Sequence, residues 1–198
     1  GWTATADWHP VGDWEWGTPS SGPGSAYSGQ NVWATNLDAN YTNAGGTSSL
    51  SQVFDFTGCT DMQITWREWV EVYYSWDTAT LVVNGDVLYQ RTTSSPTPSY
   101  QQRTVDLSAY DGLPAVEIAF ELYATTVVDR PGWYIDDVAV GRPGSRNTHA
   151  VTIDEYGQVV SDVDFGNWAE MQSLDTVADV TCSRMTYDRR TGEFSGLL

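Results

Sequence analysis

Histidines, serines and carboxylates could carry out chemistry in this 198-residue chain, but their spacing argues against catalysis. A zinc protease of the His-Glu-x-x-His type needs two histidines on one helix face, whereas the chain contains only His9 and His149. It also lacks the Gly-x-Ser-x-Gly motif that exposes a nucleophilic serine. Glu68 and Glu71 could form the carboxylate pair of a glycosidase, but residues three apart on a strand face opposite sides of a sheet. We therefore predict that the protein is not an enzyme.

Two adjacent acidic residues, Asp136 and Asp137, lie in a predicted strand. Alternation places Asp136 on one face with Val138 and Val140 and Asp137 on the other, so at least one carboxylate approaches the buried side. An unpaired buried carboxylate is costly, so it needs a cation, an arginine or hydrogen bonds from loop amides. Calcium is one such cation, because it takes six to eight oxygen ligands. The three alternatives stay open at this point.

Ten tryptophans suggest sugar binding, because exposed aromatic rings stack on the apolar faces of sugar rings. On the long aromatic strand predicted from Met62 onwards, Trp66 and Trp76 share a face with valines and are predicted to pack in the core. Trp69 lies on the other face between charged residues. It is therefore the surface candidate for ligand binding.

The two cysteines, Cys59 and Cys182, are far apart in the sequence. In an oxidising compartment they could form one disulfide that ties the C-terminal tail to the preceding domain. They could equally be unpaired or differently paired. Both alternatives remain open.

The charge of the chain limits its partners. It carries 26 acidic and 9 basic residues, all nine of them Arg, for a formal net charge of −17. Nucleic acid and anionic membrane surfaces are poor partners, since both need a basic face. No apolar run reaches the length of a spanning helix. An acidic, Lys-free chain rich in Trp and Thr suggests a secreted protein, although lineage codon bias explains the composition equally well.

The order of apolar and turn residues predicts an all-β fold. The clearest signal is Asn84-Gly85 between two apolar runs, which predicts a hairpin. Thr92–Ser99 is predicted to be a loop because of its prolines. No segment has a sustained helical period, and many short strands at regular spacing favour a sandwich or barrel. The predicted strands are Asn31–Asn36, Ser48–Phe56, Met62–Ser75, Thr80–Val83, Asp86–Gln90, Arg103–Leu107, Ala115–Ala124 and Trp133–Val140.

Residues 1–143 are predicted to form the sandwich and residues 144–198 a linker with a β-strand tail. Pro143 and Gly144 break the chain at this boundary. Short apolar pieces follow, and Val180–Phe194 is predicted to hold a hairpin that turns at Arg189–Gly192. The pieces Ala150–Ile153 and Gln158–Val163 could pair as well. The tail is too short to bury a core of its own.

The chain contains Trp-Glu-Trp-Gly-Thr-Pro at residues 14–19 and Gly-Trp-Tyr-Ile-Asp-Asp-Val at residues 132–138, in its last predicted sandwich strand. These motifs, with others between them, resemble those of MAM-like jelly-roll modules and stand in the same order. The resemblance is to the β-sandwich module of immune-inhibitor-A-type secreted bacterial metalloproteases and to related modules of large bacterial surface proteins. The motif at residues 132–138 is its most specific part, and the motif at residues 14–19 is the next. Cys182–Phe194 is similar to the first strands of an Ig-like module, which would be incomplete here.

The resemblance implies a jelly-roll β-sandwich with a short C-terminal β extension, in a protein that is secreted or on the bacterial cell surface. It also implies a structural calcium ion held by an acidic residue of the closing strand. The ligands carried over are Asp136 and Asp137, with Asp38, Glu71 and Asp77 as further candidates.

Two functions follow as hypotheses. The first is a non-catalytic, calcium-stabilised module for recognition or adhesion, with a glycan or protein ligand. The second is a structural subunit that assembles with copies of itself into an extracellular filament. The second hypothesis depends on the tail, whose strand-like pieces lack a core and could pair with a neighbouring chain.

Overall fold

The computed structural model describes residues 1–8, 13–93 and 96–143, together with the backbone of two strands near the C-terminus. The chain divides into two compact units, Gly1–Ser145 and Arg146–Leu198. The predicted boundary between residues 143 and 144 stays a prediction. The first unit contains ten strands and a single 3-10 turn, Ser108–Tyr110, among its described residues. The strands are β1 (Thr3–Ala6), β2 (Glu15–Gly17), β3 (Val32–Ala34), β4 (Gly46–Phe54), β5 (Gln63–Glu71), β6 (Thr78–Val83), β7 (Asp86–Arg91), β8 (Gln101–Asp106), β9 (Val116–Ala124) and β10 (Gly132–Gly141).

The strands form two antiparallel five-stranded sheets, which confirms the predicted all-β sandwich. The first sheet has the order β1-β4-β9-β6-β7, and the second has the order β2-β3-β10-β5-β8. Sequence reasoning missed β1 and β2, which are short edge strands with little buried surface. The predicted hairpin at Asn84-Gly85 is confirmed. Both residues have positive φ angles, 48° and 90°, as the tight turn between β6 and β7 requires.

The core lies between the sheets and is built from the inward face of each strand. On β5, alternate side chains from Ile64 to Val70 point inward, and aromatic rings from both sheets meet among them. Phe120 on β9 contacts Trp66 and Trp133 edge-on, with ring centroids 5.5 and 5.4 Å apart. The core therefore joins β9, at the centre of the first sheet, to β5 and β10 of the second.

A β-bulge interrupts β10 at the acidic pair. Asp136 pairs with Arg67 of β5, but Ala139 pairs with Thr65, so one extra residue lies on β10 between them. Asp137 has a φ of 48° at this point. Ile135 precedes the bulge in the core, and Val138 follows it against the same core.

The predicted alternation of the acidic pair is therefore wrong. Asp136 does not share a face with Val138 and Val140, because the extra residue at the bulge shifts the alternation by one position. Asp136 instead lies on the outer face of the second sheet and is buried there, whereas Asp137 is exposed.

The second unit contains one described hairpin. Strand β11 (Ser183–Asp188) pairs antiparallel with β12 (Glu193–Leu197), which confirms the hairpin predicted within Val180–Phe194. The other predicted pieces, Ala150–Ile153 and Gln158–Val163, lie outside the described residues. The assembly hypothesis rests on this tail and stays a prediction.

Candidate functional site

Glu68 is fully buried in the core and is held by side chains from both sheets. One carboxylate oxygen accepts hydrogen bonds from the Tyr89 hydroxyl at 2.5 Å and from Arg103 Nε at 2.8 Å. The other accepts from the indole N–H groups of Trp133 at 3.0 Å and Trp66 at 3.4 Å. Four donors, one of them the guanidinium of Arg103, satisfy this buried carboxyl group, so Glu68 joins the two sheets at the β7–β8 edge.

Glu71 lies apart from Glu68. It is half-buried at the end of β5, where Arg130 Nε lies 3.9 Å from its carboxylate. The two carboxylates do not share a cleft, as the three-residue spacing predicts. This geometry offers no acid–base pair for glycoside hydrolysis.

Asp136 holds a loop that crosses the outer face of the second sheet. We call this loop, residues 20–29, the strap. One carboxylate oxygen of Asp136 accepts hydrogen bonds from the backbone N–H groups of Tyr27 at 2.9 Å and Ser28 at 3.0 Å. The other accepts from the N–H of Asp137 at 2.8 Å. Of the three alternatives that the sequence leaves open for a buried carboxylate, hydrogen bonds from loop amides are the one observed at Asp136.

The electrostatics of Asp136 reflect its burial. Desolvation raises its pKa above the ordinary value of an aspartate, and the negative charge of Asp137 adds to this effect. The amide hydrogen bonds from Ser28, Asp137 and Tyr27 act in the opposite direction, because they stabilise the ionised form. The net direction is upward, so burial outweighs the amides.

The five candidate calcium ligands are not brought together. Asp77 is fully buried, and its carboxylate accepts from the Tyr41 hydroxyl at 2.5 Å and from the N–H and Oγ1 of Thr125 at 2.8 Å each. Asp38 is exposed on the β3–β4 loop, next to Asn36. Across the described ranges, His, Cys, Asp and Glu side chains form no group of three or more that could hold a metal ion.

These residues as placed do not fit the predicted calcium site. The carboxylates of Asp77 and Asp136 already accept hydrogen bonds on both oxygens, and Asp137 instead accepts one from the Ser28 hydroxyl at 2.6 Å. Calcium-dependent stability stays a prediction.

The strap also covers Trp69, so the predicted surface position of this residue is wrong. Trp69 is only 7% exposed and packs edge-on against Tyr134, with ring centroids 5.5 Å apart. Ala26 of the strap packs on the same cluster, and the backbone of Gly22 lies against the Tyr134 ring. A Cβ atom at Gly22 would lie 2.4 Å from Tyr134 Cε2, so only glycine allows this approach. The charged residues on either side of Trp69 suggested exposure, but they carry no information about the strap, which comes from a distant part of the sequence and covers this face of the second sheet.

The loop that joins β5 to β6 presents two aromatic side chains to solvent. We call residues 72–77 the aromatic loop. Tyr74 is 61% exposed and Trp76 is 62% exposed. The prediction that Trp66 is buried is confirmed, but the same prediction for Trp76 is wrong, because β5 ends at Glu71 and its alternation does not extend to the loop.

The aromatic loop is fixed at its base. Backbone N–H groups of Trp76 and Asp77 donate to the Tyr73 carbonyl, and Ser75 between the aromatic residues has a φ of 62°. The buried Tyr41 hydroxyl donates to Asp77 and accepts from the Tyr73 N–H at 3.1 Å. Desolvation, followed by the hydrogen bond to Asp77, raises the pKa of Tyr41 well above the usual tyrosine range, so this hydroxyl stays protonated.

Sequence reasoning missed Tyr74 and Trp76 as surface residues. The signal that could have found them is the run Tyr-Ser-Trp-Asp of residues 74–77, in which Ser and Asp are turn formers directly after a strand.

Cys59 is half-buried, and its Sγ lies 3.9 Å from the Thr57 carbonyl oxygen. Cys182 lies outside the described residues, so the predicted disulfide stays a prediction.

Within the described ranges no helix is long and apolar enough to cross a membrane.

Comparison with known proteins gives partial relatives. The chain is 29% identical to Bacillopeptidase F of Bacillus subtilis over 153 residues, which is 74% of this chain and 11% of that protein. It is 46% identical to Hemagglutinin A of Porphyromonas gingivalis over 59 residues, or 30% of this chain and 2% of that protein. The chain therefore spans about a tenth or less of the relatives it matches. No family model matches it, so the MAM-like assignment stays a resemblance.

One solved structure supports the fold. The K1 cleaved adhesin domain of Lys-gingipain from Porphyromonas gingivalis superposes with a TM-score of 0.50 at 15% identity, covering 72% of this chain and 91% of that domain. This likeness agrees with the two antiparallel sheets described above.

Proposed function

We propose that the sandwich is a non-catalytic recognition module that binds a glycan on the aromatic loop, within a secreted or surface-attached bacterial protein. The observation that carries this proposal is the pair Tyr74 and Trp76, each more than 60% exposed on a loop with a buried anchor. Most large aromatic residues of the described sandwich are buried or half-buried, and isolated exposure of one ring needs no explanation. Two on one short loop form a surface on which sugar rings can stack.

Rigidity of the loop supports binding. A loop that is already ordered loses little conformational entropy when a ligand binds, so more of the contact free energy appears as affinity. Asp77 supplies this order, because its buried carboxylate fixes both Tyr41 and Thr125. The hydroxyl of Tyr41 in turn fixes the backbone of Tyr73.

Polar groups from neighbouring loops lie beside the aromatic loop. The Arg130 guanidinium lies 5.9 Å from the centre of the Tyr73 ring, and the Asn40 amide donates to Asp129 at 3.1 Å. The backbone N–H of Tyr41 donates to the Arg130 carbonyl, which joins these loops at one end of the sandwich. Such groups are suited to hydrogen bonding with sugar hydroxyls around a stacked ring.

The relatives support an adhesive role and an extracellular location. One is named a hemagglutinin, and the superposed solved structure is an adhesin domain. The separation of Glu68 from Glu71 supports the absence of glycosidase activity.

The proposal is tested by binding the purified chain to an array of neutral and acidic oligosaccharides. Substituting Trp76→Ala or Tyr74→Ala should weaken binding of the glycan found by at least about tenfold, equivalent to ~1.4 kcal/mol. Trp16→Ala is the matched control, because Trp16 is 50% exposed on β2 and stacks on Trp33 rather than on the aromatic loop. Undiminished binding in both loop variants, or hydrolysis of the array sugars, would contradict the proposal.

A further inference from the structure

Arg67 is a cation without an anionic partner. It lies on the outer face of β5, is half-buried, and within the described ranges its guanidinium makes neither an ion pair nor a hydrogen bond. Among the other described arginines, Arg103, Arg130 and Arg142 each donate to an oxygen atom, whereas Arg91 has a buried Nε without a hydrogen-bond partner. Arg67 differs from Arg91 in that its guanidinium lies at the surface beside an exposed ring, where its N–H groups are open to a ligand.

The carboxylate nearest in register is already occupied. Asp136 is the cross-strand partner of Arg67, and both side chains lie on the outer face of the second sheet. In most sheets an opposite-charge pair at this position would interact. Here the oxygens of Asp136 accept three backbone N–H groups, two of them from the strap. Because the strap amides bind the carboxylate of Asp136, this carboxylate makes no ion pair with Arg67. The Arg67 guanidinium is left free.

The strap also holds Arg67 in a fixed orientation. The Arg67 guanidinium carbon lies 4.4 Å from the centre of the Tyr27 ring, a cation–π contact. Tyr100 packs edge-on against Tyr27 at 5.9 Å, and its hydroxyl donates to the Ser25 carbonyl at 3.1 Å. Tyr27 is itself 46% exposed. A guanidinium and an open aromatic ring thus lie side by side, and Asp136 fixes the backbone that carries the ring.

We propose that Arg67 and Tyr27 form a second binding site, which takes a carboxylate-bearing sugar such as a uronic acid. A carboxylate can accept two parallel N–H bonds from a guanidinium, and the pyranose ring that carries it can pack on Tyr27. Tyr27 favours this occupant over an acidic peptide, because a sugar acid places an apolar ring face and a carboxylate in one compact unit. The site is independent of the aromatic loop.

The net charge of −17 opposes an anionic ligand only at long range. At physiological ionic strength the Debye length is about 8 Å, so direct contact with Arg67 dominates once the ligand is seated. Binding is therefore best measured at that ionic strength, in a calcium-free buffer.

The test is a calorimetric titration of the full chain with trigalacturonic acid. The neutral match is the same trisaccharide with methyl-esterified carboxyl groups. We expect the acid to bind, the ester to bind at least tenfold more weakly, and Arg67→Gln to lose at least tenfold in affinity for the acid. Arg67→Lys should lose part of the affinity, since an ammonium cannot form the two-bond fork. Arg142→Gln and Trp76→Ala are controls that should bind the acid as the unmodified chain does.

Thermal melts check that each variant is folded. If Arg67→Gln does not fold, two measurements still decide the outcome. One compares the acid with the ester on the unmodified chain, and the other measures the affinity of Arg67→Lys for the acid. No binding of the acid at millimolar concentration, equal binding of the ester, or an unaffected Arg67→Gln variant would each overturn the site. Tighter, Arg67-dependent binding of a hexaglutamate peptide would show that the occupant is an acidic peptide and overturn the sugar assignment. Loss of glycan binding in Trp76→Ala, with acid binding unchanged, would support the glycan site on the aromatic loop and would leave the Arg67 site unaffected.

Discussion

At the scale of single residues, buried carboxylates decide how the surface of this sandwich is arranged. Glu68 joins the two sheets, Asp77 anchors the aromatic loop and Asp136 fastens the strap. Each accepts hydrogen bonds from at least one segment distant in sequence, and each places a carboxyl group away from solvent. The cost of their burial is offset only while all the donors stay in place.

Replacing Asp136 by Asn should loosen the strap. An asparagine side chain has one acceptor oxygen and one donor N–H₂ group, so it cannot accept from all three backbone N–H groups that Asp136 binds. Chemical denaturation at neutral pH should show a loss of roughly 1–3 kcal/mol in the free energy of unfolding. Asp137→Asn is the matched control, because Asp137 is exposed and should change stability far less.

The same variant tests the direction of the Asp136 pKa. A carboxyl group whose folded-state pKa is raised binds protons more readily when folded, so its contribution favours the folded state at low pH. That contribution is lost as pH rises from the ordinary aspartate range through the raised pKa. The free energy of unfolding of the unmodified chain, minus that of Asp136→Asn, should therefore decrease with rising pH across this window. A rising difference would show that the folded-state pKa is lowered instead.

At the scale of elements, β10 is positioned by a close contact at its first residue. Gly132 has a φ of 102°, and a Cβ atom there would lie 2.1 Å from Thr35 Oγ1. That hydroxyl accepts the N–H of Trp133 at 2.9 Å, next to the pairing of β3 with β10. The close approach of the Thr35 side chain to the backbone of β10 depends on the absence of a side chain at Gly132.

Gly132→Ala should be strongly destabilising. It combines an unfavourable positive φ with a steric overlap in a buried region, for an expected loss of about 2 kcal/mol or more. Gly112→Ala is the matched control, since Gly112 also has a positive φ, 76°, but has open space around its Cβ position. The control should show only the smaller conformational cost, about 1 kcal/mol. Equal losses in melts of the two variants would show that the contact with Thr35 is unimportant.

Strands and turns were predicted correctly where a few neighbouring residues strongly favour one backbone conformation. The Asn84-Gly85 hairpin, the loop after β7 and the long strand through Trp66 each have residues that permit few alternatives. The bulge in β10 was not predictable, because Asp137 adopts a positive φ without a glycine to mark it. That single inserted residue was enough to place Asp136 on the opposite face from Val138 and Val140, with which it was predicted to share one.

The candidate sites were predicted less well than the fold, because their exposure depends on distant segments. Trp69 is buried by a Gly- and Ser-rich strap that has no strand pattern of its own. Trp76 is exposed because a strand ends five residues earlier, and strand ends are poorly marked in sequence. Arg67 is left without a partner because backbone amides occupy Asp136, which side-chain patterns do not reveal.

At the scale of the whole molecule, the net charge of −17 sets the response to salt. Self-repulsion destabilises a compact chain, and added salt screens it. The melting temperature should therefore rise with NaCl. The predicted calcium site requires a further rise with CaCl₂ at matched ionic strength, which chelator reverses and which is absent in Asp136→Asn.

The position of β10 also has a consequence for biosynthesis. It is the last strand of the sandwich in sequence, yet it lies at the centre of its sheet, between β3 and β5. Until Gly141 has left the ribosome, β3 lacks the neighbour that joins it to β5, and the strap lacks the carboxylate that fastens it. A nascent chain that ends before β10 lacks the strand that packs beside Trp69 and the Trp133 side chain that donates to Glu68. The second sheet therefore cannot be completed strand by strand during synthesis, and the sandwich closes only after its last strand is available.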